Sequence, residues 1–333
     1  MRPKVLVARA VFNDAIDRLR EHFDVETNDA DDVWTQAELI RRLQGMSGLF
    51  ITGTQAIDEA LLSACPQLRA VCSMAVGYNN IDVPACTAHR VLVSNAPDVL
   101  TETTADFGFA LMMAAARRMT ESEHFLRRGE WTKWSYDLFA GADVHGATLG
   151  VLGMGRIGQA IARRGALGFD MRVLYHNRSR LGAVIEAQLG ARHVSKEQLL
   201  READHLVIVV PYSAASHHLI GAAELTLMKP TATLTNIARG GIVDDAALAR
   251  ALRERRIAAA GLDVFEGEPA LHPELLKVPN VVLTPHIASA SLPTRRAMAH
   301  LAVDNLLAAL GVGPNAGRPP TALNPEALAN QPG

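Results

Sequence analysis

Between Thr148 and Ile161 the chain reads TLGVLGMGRIGQAI. An apolar run of strand type meets the loop Gly153-Met154-Gly155-Arg156-Ile157-Gly158, and a helical pattern follows. Gly153 permits a tight turn out of the strand. Gly155 lets the backbone approach a pyrophosphate closely, and Gly158 lets the next helix pack against the strand. The helix N-terminus then offers unpaired N–H groups and a favourable dipole to phosphate. The G-x-G-x-x-G spacing alone is a weak signal. Its place between a strand and a helix makes it a dinucleotide loop, which commits this part of the chain to a parallel α/β sheet.

The next strand, Arg172-Val173-Leu174-Tyr175, ends in His176-Asn177-Arg178-Ser179-Arg180. A site for NAD carries an acid here, roughly twenty residues past the glycines, to hold the ribose 2′-hydroxyl. No acid is present. Arg and Ser would instead bind a 2′-phosphate through charge-assisted hydrogen bonds. The expectation is NADP(H), with NAD(H) as a second possibility. Arg178 and Ser179 fall on the phosphate, Asn177 beside them, and Arg180 is a further candidate. The competing reading is a solvated basic turn.

A chain of 333 residues with 49% hydrophobic composition has material for two packed domains. The net charge of −2 gives no reason to expect nucleic acid. The opening MRPKVLVARAVF is too short an apolar run for a signal peptide, and nothing later is long enough to span a bilayer, so a cytoplasmic setting is expected. Cys65, Cys72 and Cys86 have no metal-type spacing and read as reduced, buried thiols.

Short apolar runs alternate with helical patterns. Val5–Ala8, Gly48–Ile51, Ala70–Ser73 and Val91–Val93 read as strands of one series. Six more follow from Thr148: Leu149–Leu152, Arg172–Tyr175, Leu206–Val210, Thr233–Asn236, Ala259–Asp263 and Val281–Thr284. The pattern predicts an α/β protein with doubly wound, Rossmann-like parallel sheets. Thr101–Met119, small and apolar, predicts a largely buried helix joining the domains. The tail from Gly313, rich in Pro, Gly, Ala and Asn, is expected to lie loosely.

Ligands of such sheets bind beyond the carboxyl ends of the strands. Those ends carry Pro211 and Tyr212, then Ile237-Ala238-Arg239-Gly240, then Asp263 through Glu268, then His286. A cation, an acid and a titratable base at one mouth suit reduction of a carbonyl beside a carboxylate. His217-His218 looks like a metal pair, but it is read as a helix N-terminus on which adjacent side chains diverge. No metal is expected.

At these residues the chain resembles the D-isomer-specific 2-hydroxyacid dehydrogenase family, on its glyoxylate/hydroxypyruvate reductase branch, which includes 2-ketogluconate reductases. The likeness runs through SMAVGYNNIDV, PDVLTETTADFGFAL, the glycine loop, NIARGGIVDD, AAGLDVFEGEP and TPHIASAS in that order. The resemblance implies two Rossmann-like domains with a cleft between them. Residues 1–99 and 288–333 would form a discontinuous substrate domain, and 100–287 the NAD(P) domain. It assigns Arg239 to the substrate carboxylate and carbonyl, His286 to acid–base work and Glu268 to its partner acid. Asp263 would lie near the nicotinamide. Gly153 to Gly158, Pro211, Ile237 and Ala238 would line the cofactor, with Thr104 on its nicotinamide side unless it merely caps the interdomain helix. The backbone of Val76 and Gly77 would cradle the substrate carboxylate, while Tyr78 either lines the pocket or packs. Trp134, or failing that Trp131, would reach the active site of a partner subunit in a homodimer.

The expected reaction is reduction of glyoxylate, hydroxypyruvate or 2-ketogluconate by NADPH. Alternatives are a relative acting on 3-phosphoglycerate or D-lactate, and a nucleotide-sensing binding protein or co-repressor that reuses the fold. The Glu at 268 argues against a formate enzyme, since members of that type depart from it.

Overall fold

The computed structural model describes residues 2–329. The chain divides into two compact units, one of residues 1–100 and 290–333 and the other of residues 101–289.

The first unit holds a parallel sheet of five strands: β1 (Lys4–Val7), β2 (Asp24–Thr27), β3 (Gly48–Ile51), β4 (Ala70–Ser73) and β5 (Leu92–Ser94), in the order β2-β1-β3-β4-β5. Every residue of β3, β4 and β5 is buried, as expected of parallel strands covered on both faces. The edge strand β2, DVET, was not anticipated from the sequence. It is half exposed and offers no apolar run to recognise. The helix Leu292–Ala309 opens with Ser291 accepting from the Thr294 N–H and has Pro293 in its first turn. It lies so close to the sheet that a Cβ on Gly48 would sit 2.9 Å from Leu306 Cδ1.

The tail behaves differently from the expectation of looseness. Residues 313–320 are largely exposed. From Thr321 the chain returns to β5, where Ala322 forms an antiparallel bridge with Ser94 and the Leu323 N–H donates to the Val93 carbonyl at 2.8 Å. Asn324 is buried: its Oδ1 accepts from the Val93 N–H at 2.7 Å and its amide donates to Val91 O and Thr87 Oγ1. Three partners compensate the desolvation of one amide side chain, an arrangement that composition does not reveal. The three cysteines are buried and free, and burial pushes the Cys72 and Cys86 thiols up to about 12.

The second unit holds seven parallel strands: β6 (Thr148–Leu152), β7 (Arg172–His176), β8 (Ala191–His193), β9 (His205–Ile208), β10 (Thr233–Asn236), β11 (Ala259–Leu262) and β12 (Val281–Leu283). Their order is β12-β11-β10-β9-β6-β7-β8, so the winding reverses between β6 and β9. Six strands were expected. The seventh, β8, is the short edge strand ARH, again without an apolar signature. Side chains alternate between two cores. Leu149, Val151 and Val207 join one cluster, and Leu152, Leu206 and Ile208 the other. The helix Thr101–Ala116 packs on β10 and β11 through glycines: a Cβ on Gly261 would meet Leu111 at 2.8 Å, and one on Gly108 would meet Ile237 at 2.5 Å. Among the described residues no helix is long and apolar enough to cross a membrane.

Candidate active site

The glycine loop leaves β6 at the point where the winding reverses, where ligands of such sheets bind. Gly153 has φ +103°, and a Cβ there would lie 2.8 Å from the backbone of Val209 and Val210. A Cβ on Gly158 would lie 2.2 Å from the Gly153 carbonyl oxygen. Both glycines are demanded by packing. Gly155 is different, since a Cβ there would meet nothing within 4 Å, so its space is left for something else. Among the described residues the N–H groups of Gly155 and Ile157 have no hydrogen-bond acceptor, at the start of the helix Arg156–Phe169. That is an anion-binding helix terminus.

Two residues expected on the cofactor are tied to each other at the loop. Met154 is buried in the apolar core, and its N–H donates to Asn177 Oδ1 at 2.7 Å. Asn177 thus links the glycine loop to the turn after β7. In that turn Arg178 and Ser179 are exposed and, among the described residues, neither makes a hydrogen bond or ion pair. Arg180 is occupied: its guanidinium donates to the Glu186 carboxylate at 2.9 and 2.7 Å. The Tyr175 hydroxyl donates to the same carboxylate at 2.6 Å and accepts from the Leu181 N–H at 2.8 Å. Hydrogen bonds from Arg180 and then Tyr175 hold Glu186 down at about 2. Arg180 therefore helps shape the turn through Nε and Nη2, while its side chain remains 67% exposed.

Arg239, Glu268 and His286 come from the ends of β10, β11 and β12. The double glycine after Arg239 has a steric cause. A Cβ on Gly240 would fall 1.8 Å from the Phe265 carbonyl oxygen, so only glycine lets the segment after β10 pass against the segment after β11. Asn236 braces the Arg239 backbone, donating to its carbonyl at 3.2 Å and accepting from the Ala238 N–H at 3.0 Å. Ile237 and Ala238 are buried. Burial pulls the Arg239 guanidinium below its ordinary pKa against the opposing charge of Glu268, yet a guanidinium stays cationic at any working pH.

His286 Nδ1 lies 2.7 Å from Glu268 Oε1, and Glu268 Oε2 accepts from the Phe265 N–H at 3.3 Å. Burial would raise the Glu268 carboxyl. The hydrogen bond and charge of His286, the Phe265 N–H and the charge of Arg239 together outweigh it and hold the group below its usual range. His286 has φ +55°, a left-handed conformation uncommon for a side chain of this size.

Asp263 explains how that conformation is kept. It is fully buried, and its Oδ1 accepts from Thr284 Oγ1 at 2.7 Å and the Ile287 N–H at 2.8 Å. Its Oδ2 accepts from the Ala288 N–H at 2.8 Å. The carboxylate clasps the chain on both sides of His286. Asp263, expected near the nicotinamide, thus has both carboxylate oxygens engaged by the segment that carries His286.

Other expected residues fall as follows. Thr104 is buried, and among the described residues its hydroxyl has no hydrogen-bond partner, which leaves it for a ligand. Pro211 is exposed, with its carbonyl accepting from Ser216 Oγ at 3.0 Å. Trp131 and Trp134 are 55% and 77% exposed. In the first unit Asn95 donates to the Val76 carbonyl at 2.7 Å, while the N–H groups of Val76 and Gly77 have no acceptor among the described residues. Tyr78 is exposed. His217-His218 does not open a helix; it closes the single turn Ala214–Ser216.

The sequence profile of the D-isomer specific 2-hydroxyacid dehydrogenase NAD binding domain matches residues 109–288. The chain belongs to that family. Within it, this dehydrogenase is 46% identical to the glyoxylate reductase of Thermococcus onnurineus over 332 residues, covering 98% of each chain. It is 49% identical to the glyoxylate reductase of Aeropyrum pernix over 313 residues, covering 92% of each. Among solved structures it superposes with a TM-score of 0.83, at 34% identity and 98% coverage of both chains, on the NADPH-dependent glyoxylate/hydroxypyruvate reductase of Sinorhizobium meliloti in complex with NADP and malonate. The dehydrogenase fold and the residues present fit a nicotinamide dinucleotide: the open space at Gly155, the unpaired N–H groups beside it and the orphaned Thr104 hydroxyl are each a feature that a bound cofactor would satisfy.

Proposed function

We propose that the protein reduces small 2-oxo acids, namely glyoxylate, hydroxypyruvate and 2-ketogluconate, to D-2-hydroxy acids with NADPH, accepting NADH less well. The observation that carries this reading is the 2.7 Å pair of His286 and Glu268, with the Arg239 guanidinium close enough to feel Glu268. The names of the relatives support the substrate class.

A bound nicotinamide supplies the hydride for the carbonyl carbon. This chain's residues supply the rest. Because Nδ1 of His286 faces Glu268, Nε2 is the atom left to deliver a proton to the carbonyl oxygen. Glu268, held ionised, keeps the ring oriented through its contact with Nδ1. Arg239 presents a planar fork to the substrate carboxylate and positive charge to the oxygen where negative charge develops. In the first unit the free N–H groups of Val76 and Gly77 are assigned to the substrate carboxylate.

Arg178 and Ser179 are assigned to the cofactor 2′-phosphate, and the N–H groups at Gly155 and Ile157 to its pyrophosphate. Thr104, Pro211, Ile237 and Ala238 would contact the nicotinamide half. Residues 101–289 form the cofactor unit in this reading. The exposed Trp134 is assigned to the active site of a partner protomer in a homodimer, an apolar surface that would otherwise face water.

The test follows oxidation of NADPH and of NADH with glyoxylate, hydroxypyruvate and 2-ketogluconate in parallel. Turnover of at least one 2-oxo acid, with higher kcat/KM for NADPH, is expected. No turnover with any of them would transfer support to a nucleotide-sensing protein on the same fold.

A further inference from the structure

The reducing centre uses Glu268 but not Glu266, and it leaves His217, His218 and Tyr212 without a task. These four residues meet at the carboxyl ends of β9 and β11. His218 has φ +49°, and its N–H donates to the Gly241 carbonyl at 2.7 Å. The left-handed residue breaks the divergence that adjacent side chains show on a helix, and the two imidazoles stack with centroids 3.9 Å apart and planes at 21°. Glu266 faces both rings. One carboxylate oxygen lies 2.8 Å from His218 Nε2, and the other lies 3.9 Å from His217 Nε2, too far for a hydrogen bond. The Tyr212 hydroxyl sits 3.2 Å from His217 Nδ1. A ligand atom from each of His217, His218 and Glu266 lies within 4.8 Å of the others, and all three side chains are exposed.

We propose that His217, His218 and Glu266 form a binding site for a divalent transition-metal ion of the zinc, cobalt or nickel class. Two imidazole nitrogens and a carboxylate oxygen are the donor set such ions take, with water completing the shell. A pure ion pair would need only His218 and one oxygen of Glu266. The second ring and the second oxygen, facing each other beyond hydrogen-bond reach, are what an ion would bridge. The Tyr212 hydroxyl engages Nδ1 of His217 and leaves Nε2 for the metal, the outer contact that orients ligating histidines. Donors around a tetrahedral zinc ion at about 2.0–2.2 Å stand roughly 3.3–3.6 Å apart, so the His218–Glu266 pair at 2.8 Å would open slightly and His217 would draw in by under ~1 Å, movements open to exposed side chains.

The site would reach toward the reducing centre through its backbone. The Glu266 N–H donates to Asp245 Oδ2 at 3.0 Å, and Glu266 precedes Glu268 in the same short segment. An ion held there would tie the His217-His218 turn to the segment that carries the partner acid of His286.

The experiment titrates Zn²⁺ by calorimetry, and Co²⁺ by its visible absorption, into the untagged protein and into His217→Ala and Glu266→Gln. One ion per chain with micromolar affinity is expected in the parent, together with the intense cobalt band of a four-coordinate site. Each substitution should weaken zinc binding by ~10-fold or more and abolish the band. An absence of binding up to millimolar metal would overturn the proposal, and so would binding unchanged in both variants, which would place the ion elsewhere. Neither readout depends on turnover, so failure here leaves the proposed reduction standing, and failure of the reduction leaves this site standing.

Discussion

The turns that follow β7 and β12 are built in opposite ways. After β12, His286 is forced into a left-handed conformation, and a buried carboxylate grips the chain at Thr284, Ile287 and Ala288 around it. After β7, Arg178 and Ser179 lie exposed and unpaired among the described residues. The ties in that turn go to its neighbours, Asn177 and Arg180. The contrast separates two demands. A group that moves a proton needs one fixed position. Groups that recognise the rim of a cofactor can stay solvated until the ligand arrives, provided the turn that presents them is braced.

The sharpest break of that comparison is His286→Ala. Removing the proton donor should lower kcat by ~10²–10⁴-fold while NADPH affinity stays close to that of the parent. A kcat near the parent's would remove His286 from the chemistry. Next in size is Asp263→Asn, which places an amide nitrogen against backbone N–H donors. A fall in kcat of about 10- to 100-fold is expected, alongside a lower Tm by circular dichroism. If kcat held while Tm fell, Asp263 would be purely structural and the fixed position of His286 would not matter to the rate.

On the looser side, Arg178→Ala should cut the NADPH-over-NADH ratio of kcat/KM by about 10-fold, the worth of one charge-assisted hydrogen bond, with kcat for NADH unchanged. Equal losses with both cofactors would show that the turn serves general structure. The smallest effect concerns Asp245, which burial raises to about 6 even though the Glu266 N–H stabilises its charge. The native state therefore holds this proton more tightly than the unfolded chain. Stability should fall as pH rises from near 4 through 6 and stay lower above that. Asp245→Asn can keep the acceptor and remove the charge. It should be the more stable protein above pH 6, by about 1–2 kcal/mol, and equal to the parent near pH 4. Parallel melting curves at both pH values would sink this assignment.

The same division governs what could be read from the sequence. The buried strands announce themselves as apolar runs, and the three glycines of the loop carry distinct steric duties that their spacing already suggests. The edge strands β2 and β8 do not, because a strand half in water needs no apolar run. Arg239, Glu268 and His286 are legible because strand ends mark ligand sites. The inward turn of Asp263 and the capture of Arg180 by Glu186 are not. Each depends on which backbone groups a turn brings within about 3 Å, and side-chain chemistry alone gives no sign of that. The stacked histidines were misread for the same reason: one left-handed residue reverses the direction of a side chain.

The insertion of residues 101–289 into the first unit also sets an order of assembly on the ribosome. Domains fold as units while the chain is still being made. The seven-stranded unit is complete before the helix Leu292–Ala309 and Asn324 are synthesised. Until those residues emerge, the sheet face at Gly48 lacks its cover and the β5 edge lacks its Ala322 partner. The strands before residue 100 are thus translated ahead of the inserted unit yet reach their finished surroundings after it, and in that interval the open β5 edge can pair with another chain.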